Sequence, residues 1–169
     1  VAAARPSLRL HIAGGGAGDE AELLRFRMDR MAPVVVQHGQ LSQPELGDLA
    51  RRCNVCVLPS FYEGLPLVLA EALACGCRLV ATNLPGIQKE LAPRFGEALN
   101  VIDLPRLEAV DRPLAEDVPA FVDRLERALG EALAKEPLGD PGITMPGALS
   151  SFTWTAVFDR VEKVWLSLS

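Results

Sequence analysis

Two glutamates and the residues around them carry the clearest chemistry in this chain. Glu63 sits in the run Pro59-Ser-Phe-Tyr-Glu63-Gly64-Leu65-Pro66, and seven residues separate it from Glu71 in Leu67-Val-Leu-Ala-Glu71-Ala-Leu-Ala. The second run reads as a helix, and Glu71 is its only charged residue. Such a carboxylate must face water or a polar site, because burying it unpaired costs on the order of several kcal/mol. Gly64 and Leu65 lie just ahead of the helix start. Their N–H groups can point at an anion with the positive end of the helix behind them. Gly64 also lets the backbone come close to a ligand. These residue types at this spacing are equipped to accept hydrogen bonds from hydroxyls and to cradle negative charge.

The elements that must position them follow from the apolar pattern. Leu8 to Ile12 alternates and runs into Ala13-Gly-Gly-Gly16, a strand ending in a glycine loop. Asp19 and Glu22 have the spacing of a capping box for the next helix, whose Leu24, Met28 and Met31 share one face. Val34–Val36 is a second strand, ending at His38-Gly39. Ser42 and Glu45 make another capping box, and Leu46, Leu49, Ala50 and Cys53 recur at helical spacing behind it. Val55–Leu58 is a third strand, stopped by Pro59. Pro66 suits the first turn of the helix that follows, which should run to Cys75 with Gly76 as its stop. Leu79–Ala81 is a fourth strand and Asn100–Ile102 a short fifth. Residues 103–116 read as irregular and charged. A helix is predicted over Pro119–Lys135, a surface loop over 136–148, and a last helix over Thr153–Leu168. Its stripe is Trp154, Phe158, Val161, Trp165 and Leu168, with both tryptophans on a core face.

Strand and helix alternate, and the strands are short continuous apolar runs. That pattern predicts an α/β chain, Rossmann-like, with a mostly parallel sheet covered on both faces as a three-layer α/β/α arrangement. Ligands of such sheets bind beyond the carboxyl ends of the strands. Gly14–Gly16, His38–Gln40, Ser60–Gly64 and Thr82–Gly86 each follow a predicted strand, so all four loops are expected on one edge, lining one crevice.

Composition narrows the classes. The chain has 169 residues, 49% of them apolar, enough for one compact domain with a full core. The formal net charge is -5 with no basic stripe, which argues against nucleic acid as a partner. The longest apolar stretch, Leu65 to Ala70, is too short to span a bilayer, and no secretory leader pattern is present. The chain opens at Val1 without a Met, as an excised domain would. Cys53, Cys56, Cys75 and Cys77 include one C-x-x-C, a form shared with zinc sites. Cys56 lies in the apolar run Val55–Leu58, however, and buried thiols are the reading adopted. With no disulfide framework, a reducing cytoplasm is expected. Gly14–Gly18 does not fit G-x-G-x-x-G, because position 19 is Asp, and no acidic residue ends the second strand as a dinucleotide site requires. His11 reads as a structural strand residue; His38, at a strand end, could line the crevice.

The block PSFYEGLPLVLAEALACG resembles the E-x7-E signature of the retaining glycosyltransferases of group 1, also called family 4. LHIAGGG and VVQHGQL are similar to that family's second and third strands. NVCVLPS and CRLVATNLPGIQKEL are similar to the strands flanking the signature, and SFTWTAVFDRVEKVW to its closing helix. The resemblance covers most of the chain apart from about 103–150. It implies the C-terminal, donor-binding half of a GT-B fold, with residues 1–150 binding the nucleotide sugar. Residues 151–169 would be a helix packing on that part or toward a missing N-terminal domain. Glu63 would contact the donor sugar's hydroxyls and is the catalytic candidate. Glu71 would hold the ribose hydroxyls. Gly64, Leu65 and Pro66 would line the donor, Gln40 and Leu41 the base, and Gly15 and Gly16 the phosphates. The substrate would be a nucleoside-diphosphate sugar, with no cofactor and no metal; no D-x-D pair occurs in the sequence. The implied activity is retaining glycosyl transfer to a glycan or lipid-linked acceptor, in the cytoplasm, with room for peripheral membrane association of a longer protein on the inner face. Two departures from the family pattern stand out. The Arg and Lys that grip the diphosphate would precede Val1, and the usual Gly-Gly after the fourth strand reads Pro85-Gly86. The alternatives are a related sugar enzyme, either an epimerase or glycogen- or sucrose-synthase-like, and a non-catalytic Rossmann-like assembly module.

Overall fold

A computed structural model describes residues 7–139 and 146–167. The chain divides into two compact units, Val1–Leu49 and Ala50–Ser169.

In the first unit, β1 (Leu10–Ala13) and β2 (Val35–Gly39) pair in parallel, from Leu10 opposite Val35 to Ala13 opposite Gly39. Helix α1 (Asp19–Asp29) connects them, as a parallel pair requires. The expected Asp19 cap does not form. Gly18, at φ 89°, takes the N-cap position and no side chain caps the helix. Without a Cβ the chain turns into the helix one residue early, so Asp19 becomes its first residue. Asp19, Glu20 and Glu22 then sit in the first turn, where negative charge suits the helix dipole. None of α1's residues is buried, and Leu24 is exposed. Helix α2 (Gln43–Ala50) follows β2. At its start the Ser42 N–H and hydroxyl both donate to the Glu45 carboxylate, at 2.8 and 2.6 Å. That is the backbone half of the expected capping box.

The second unit holds the dense core. Strands β3 (Val55–Leu58), β4 (Arg78–Thr82) and β5 (Leu99–Ile102) lie in that order, all parallel, with β4 central. Alternation along them separates two faces. Cys56, Leu58, Leu79, Ala81 and Leu99 pack with Leu69 and Leu73 of helix α3 (Leu67–Ala74). Val55, Val57, Val80 and Ile102 pack with Phe121, Ala128 and Ala132 of helix α5 (Val118–Ala134). Helices thus cover this sheet on both sides, the three-layer arrangement the apolar runs predicted. Between β4 and β5 a π-helical turn, Ile87–Leu91, leads into helix α4 (Ala92–Phe95). Ile87, Leu91 and Phe95 are fully buried there. Each such side chain stabilises the fold by roughly 1.5–3 kcal/mol relative to exposure.

The segment 103–116 is more ordered than expected. Strands β6 (Leu107–Ala109) and β7 (Arg112–Pro113) form an antiparallel hairpin. Its base is closed by Arg106, whose guanidinium donates twice to the Asp117 carboxylate at 2.8 Å. These hydrogen bonds hold the Asp117 carboxyl down at about 2. After α5, helix α6 (Pro146–Ser150) begins within the stretch read as loop, and residues 140–145 lie outside the described residues.

Helix α7 (Trp154–Ser167) has the expected stripe, but the stripe is not a core face. Trp154 is 77% exposed and Trp165 75%, and no residue of α7 is buried. Helical spacing decides which side chains share a face; it does not supply a neighbour for that face. Leu168 lies outside the described residues.

Of the four free thiols expected to be buried, Cys77 is buried and Cys53, Cys56 and Cys75 are half-buried, Cys53 and Cys56 because they lie at the margin of the core that Cys77 enters. Cys77 is fully buried and its Sγ donates to the carbonyls of Ala50 and Cys53, at 3.2 and 3.4 Å. Burial pushes the Cys56 thiol up to about 11 and the Cys77 thiol up to about 12. Among the described residues no group of three or more His, Cys, Asp or Glu is placed to hold a metal ion. No helix among them is long and apolar enough to cross a membrane.

Candidate functional site

In the second unit the loop from β3 to α3 is fixed at three points. The Thr82 hydroxyl, on a fully buried residue of β4, donates to the Ser60 carbonyl. The Phe61 ring meets Phe121 of α5 edge-on, with centroids 5.3 Å apart. The Gly64 carbonyl lies against Gly86, where an added Cβ would come within 3.2 Å of the Gly64 carbonyl carbon and closer still to its oxygen. The side chains between these anchors turn outward. Tyr62 is 70% exposed, Glu63 is half-buried, and Gly64 and Leu65 are exposed.

Pro66 is buried and takes the N-cap of α3 at φ -76°, ψ 92°. The helix therefore starts one residue after the expected position. Proline has no N–H to satisfy and brings no capping side chain, and no side chain caps this helix. Among its first-turn N–H groups that of Leu69 donates to the Pro66 carbonyl at 3.1 Å, and no side chain caps those of Leu67 and Val68. Leu69, Ala70, Ala72 and Leu73 face the core, which leaves Leu67, Glu71 and Ala74 on the outer strip. Glu71 follows Leu67 on that strip with about 6 Å of helical rise between them. One short segment thus presents Glu63, the backbone of Gly64 and Leu65, an uncapped helix start and Glu71, all accessible. Gly76, at φ 90°, ends the helix as the sequence indicated.

In the first unit, two further loops meet at the carboxyl ends of β1 and β2. The Gly14 N–H donates to the Gly39 carbonyl at 2.7 Å, which sets the glycine loop beside the Gln40–Leu41 segment. Gly15, Gly16 and Gln40 are exposed and Leu41 is half-buried. The Gly16 carbonyl accepts from Arg25 at 3.0 Å. His38 does not stand alone. Its Nε2 is 2.9 Å from Nδ1 of His11, and the rings stack with centroids 5.2 Å apart. Each unit therefore gathers its own share of the candidate residues at the carboxyl edge of its sheet. The sequence places Phe61, Thr82 and Gly86 in two of the expected crevice loops but does not reveal their supporting contacts. Their types were visible, but what each touches depends on tertiary packing.

This architecture is that of the GT-B glycosyltransferases. Sucrose-phosphate synthase from Thermosynechococcus elongatus superposes with a TM-score of 0.67 over 98% of this chain and 40% of its own, at 24% identity. The pneumococcal O-GlcNAc transferase, solved in complex with UDP and GlcNAc, gives 0.64 over 96% of this chain and 30% of its own, at 18% identity. The chain belongs to the family described as glycosyl transferases group 1, whose model matches residues 1–130. Among curated relatives, the glycogen synthase of Mycobacterium tuberculosis is 29% identical over 96% of this chain. The D-inositol 3-phosphate glycosyltransferase of Pseudarthrobacter chlorophenolicus is 40% identical over 50% of this chain and 20% of its own length. The chain spans 36% of the length of the mycobacterial glycogen synthase.

Proposed function

We propose that this chain is the donor-binding part of a retaining glycosyltransferase that takes a nucleoside-diphosphate sugar. The observation that carries this reading is the single accessible segment from Glu63 to Glu71, with its uncapped helix start. In this assignment Glu71 accepts hydrogen bonds from the ribose hydroxyls and Glu63 from the sugar hydroxyls. The amides of Gly64 and Leu65 and the start of α3 stabilise the negative charge that grows on the departing diphosphate. A nucleoside diphosphate is already a fair leaving group, so the site's main task is to hold charge and not to donate a proton. Gln40 and Leu41 would lie against the base, and Gly15 and Gly16 near the phosphates. Residues 1–150 are assigned to donor binding. Residues 151–169, with the exposed Trp154 and Trp165, are assigned to packing against chain beyond these 169 residues. Acceptor binding is assigned to that same further chain, so these residues alone are expected to bind donor without transferring it.

Calorimetry and NMR shift mapping with uridine, guanosine and adenosine diphosphates test the assignment. At least one should bind, with shifts at Gly64, Leu65 and Glu71. Glu71→Ala should weaken that binding about tenfold or more, as expected for lost hydrogen bonds to a charged group. Glu63→Gln should leave nucleoside-diphosphate affinity nearly unchanged while weakening the intact sugar donor. Absence of shifts in the 63–71 segment with all three nucleotides would remove the assignment.

A further inference from the structure

We propose that Gly86 and Thr82 are positioning residues that set where the Glu63–Leu65 loop presents its carboxylate and amides. The inference rests on the assignment of that loop to donor binding. Gly86 has φ -66° and ψ -38°, a helical conformation open to any residue. Its backbone angles therefore do not call for glycine. Space does. A Cβ at position 86 would collide with the Gly64 carbonyl, reaching 3.2 Å from its carbon and 3.8 Å from Leu65 Cα. These neighbours are backbone atoms, which cannot rotate away as a side chain could.

Which partner would yield is decided by what holds each. The turn carrying Gly86 is tied down on both sides. Leu84 is 5% exposed and Ile87 fully buried. Asn83 N–H donates to the Ile102 carbonyl at 2.7 Å, and Gln88 N–H to the Leu84 carbonyl at 2.9 Å. Gly64 and Leu65, in contrast, are exposed. The loop would therefore shift while the turn stayed, and a displacement of about an ångström at a binding site is costly. At the other end of the same loop, Thr82 is the buried polar residue among those described, and its hydroxyl is spent on the Ser60 carbonyl. Both contacts come from one stretch, the end of β4 and its following turn. That stretch fixes the loop at both ends and leaves Tyr62, Glu63 and Leu65 outside.

The test compares the full chain with Gly86→Ala, Thr82→Val and Thr82→Ser. Each is titrated with uridine, guanosine and adenosine diphosphates well below its melting temperature, and amide shifts are mapped without ligand. Gly86→Ala is expected to weaken the nucleotide that binds wild type by at least about tenfold. Its ligand-free shift changes should concentrate at 60–66 while β4 and α5 stay put. Thr82→Val should weaken binding by about threefold, the scale of one lost hydrogen bond. Thr82→Ser, which keeps the donor, should restore it. If wild type binds and both Gly86→Ala and Thr82→Val bind equally well, the positioning role is overturned while the donor assignment stands. If wild type binds none of the three nucleotides, the donor assignment fails and takes the positioning role with it. Should Gly86→Ala fail to fold, the Val and Ser pair at 82 decides: equal affinities overturn the role, and loss with rescue supports it.

Discussion

The loop after β3 and the loop after β1 both follow parallel strands, yet they are supported in opposite ways. The Ser60–Pro66 loop is pinned by a buried hydroxyl, a ring contact and a backbone approach, over a sheet packed on both faces. The Gly14–Gly18 loop leads into a helix that buries nothing, and Cβ atoms at Gly14, Gly15 and Gly18 would meet only open space. One loop is held by packed, buried neighbours; the other by two hydrogen bonds, Gly14 N–H to the Gly39 carbonyl and Arg25 to the Gly16 carbonyl, and by its own backbone angles. A pinned loop suits groups that must stay aimed at developing charge. A glycine loop with no packing around its missing Cβ atoms suits backbone that closes over a phosphate.

The widest gap between the two supports should appear in core truncations. Leu73 is fully buried on α3, so Leu73→Ala is expected to cost about 2–5 kcal/mol. Leu24 on α1 is 49% exposed. Leu24→Ala should stay within about 0.5 kcal/mol. Urea unfolding of the two variants checks the contrast. Equal losses would mean that the first unit has cover for α1 that its described residues do not reveal.

Legibility in the sequence followed the apolar pattern and not this division. β3 was read as Val55–Leu58 and is found there, because its apolar run is bounded by Asn54 and Pro59. α5 was read one residue late at each end, because its apolar face repeats strongly enough to outweigh uncertain caps. The Glu63–Glu71 segment was legible as loop and helix because its helix is apolar apart from Glu71 and its loop is rich in turn residues. The β6–β7 hairpin was not legible. Its first strand is exposed throughout, so no apolar alternation marks it, and its closure depends on Arg106 reaching Asp117 across eleven positions. Gly86 was readable as a glycine, but not as a spacer for another residue's carbonyl. The face of α7 was read correctly as a stripe and wrongly as buried, since periodicity carries no information about cover.

Glycine substitution separates the supports more finely. Gly14 adopts φ 122°, which side chains rarely take, with no atom near its missing Cβ. Gly14→Ala should therefore cost about 1–3 kcal/mol through backbone strain alone. Thermal unfolding should register the loss, and shift changes should stay between 13 and 18. Gly86→Ala instead acts on a residue far along the chain, at the 60–66 loop. If Gly14→Ala perturbed no more than an exposed surface change, backbone strain would not be what shapes the glycine loop.

Alkali should find the second unit before acid does. Cys56 and Cys77 have thiols raised to about 11 and 12, above the ordinary cysteine value of about 8.5. A group raised in the folded state adds stability that is complete below its unfolded value and lost as pH climbs through the folded one. Stability of this unit should therefore fall above about pH 8.5. Near neutral pH both thiols should resist iodoacetamide until denaturant is added. Fast labelling of Cys77 in the native chain would mean that β3 and β4 open more readily than their burial implies.

The smallest effect should be that of acid on the first unit. Next to Gln40 and Leu41 in the chain lies the Ser42–Glu45 contact, exposed to solvent. The Ser42 side chain first, and then its backbone N–H, hold the Glu45 carboxyl below the ordinary glutamate value. A group lowered in the folded state contributes above its unfolded value, about 4.3, and the contribution is lost as pH falls through the lower folded value. The Ser42 amide shift should therefore titrate below about pH 4.3, and Gln40 should follow. Glu45→Ala should abolish that titration while leaving the amides of 63–65 untouched at every pH. A shared acid transition at Gln40 and Gly64 would show that the two loops do not depend on separate supports.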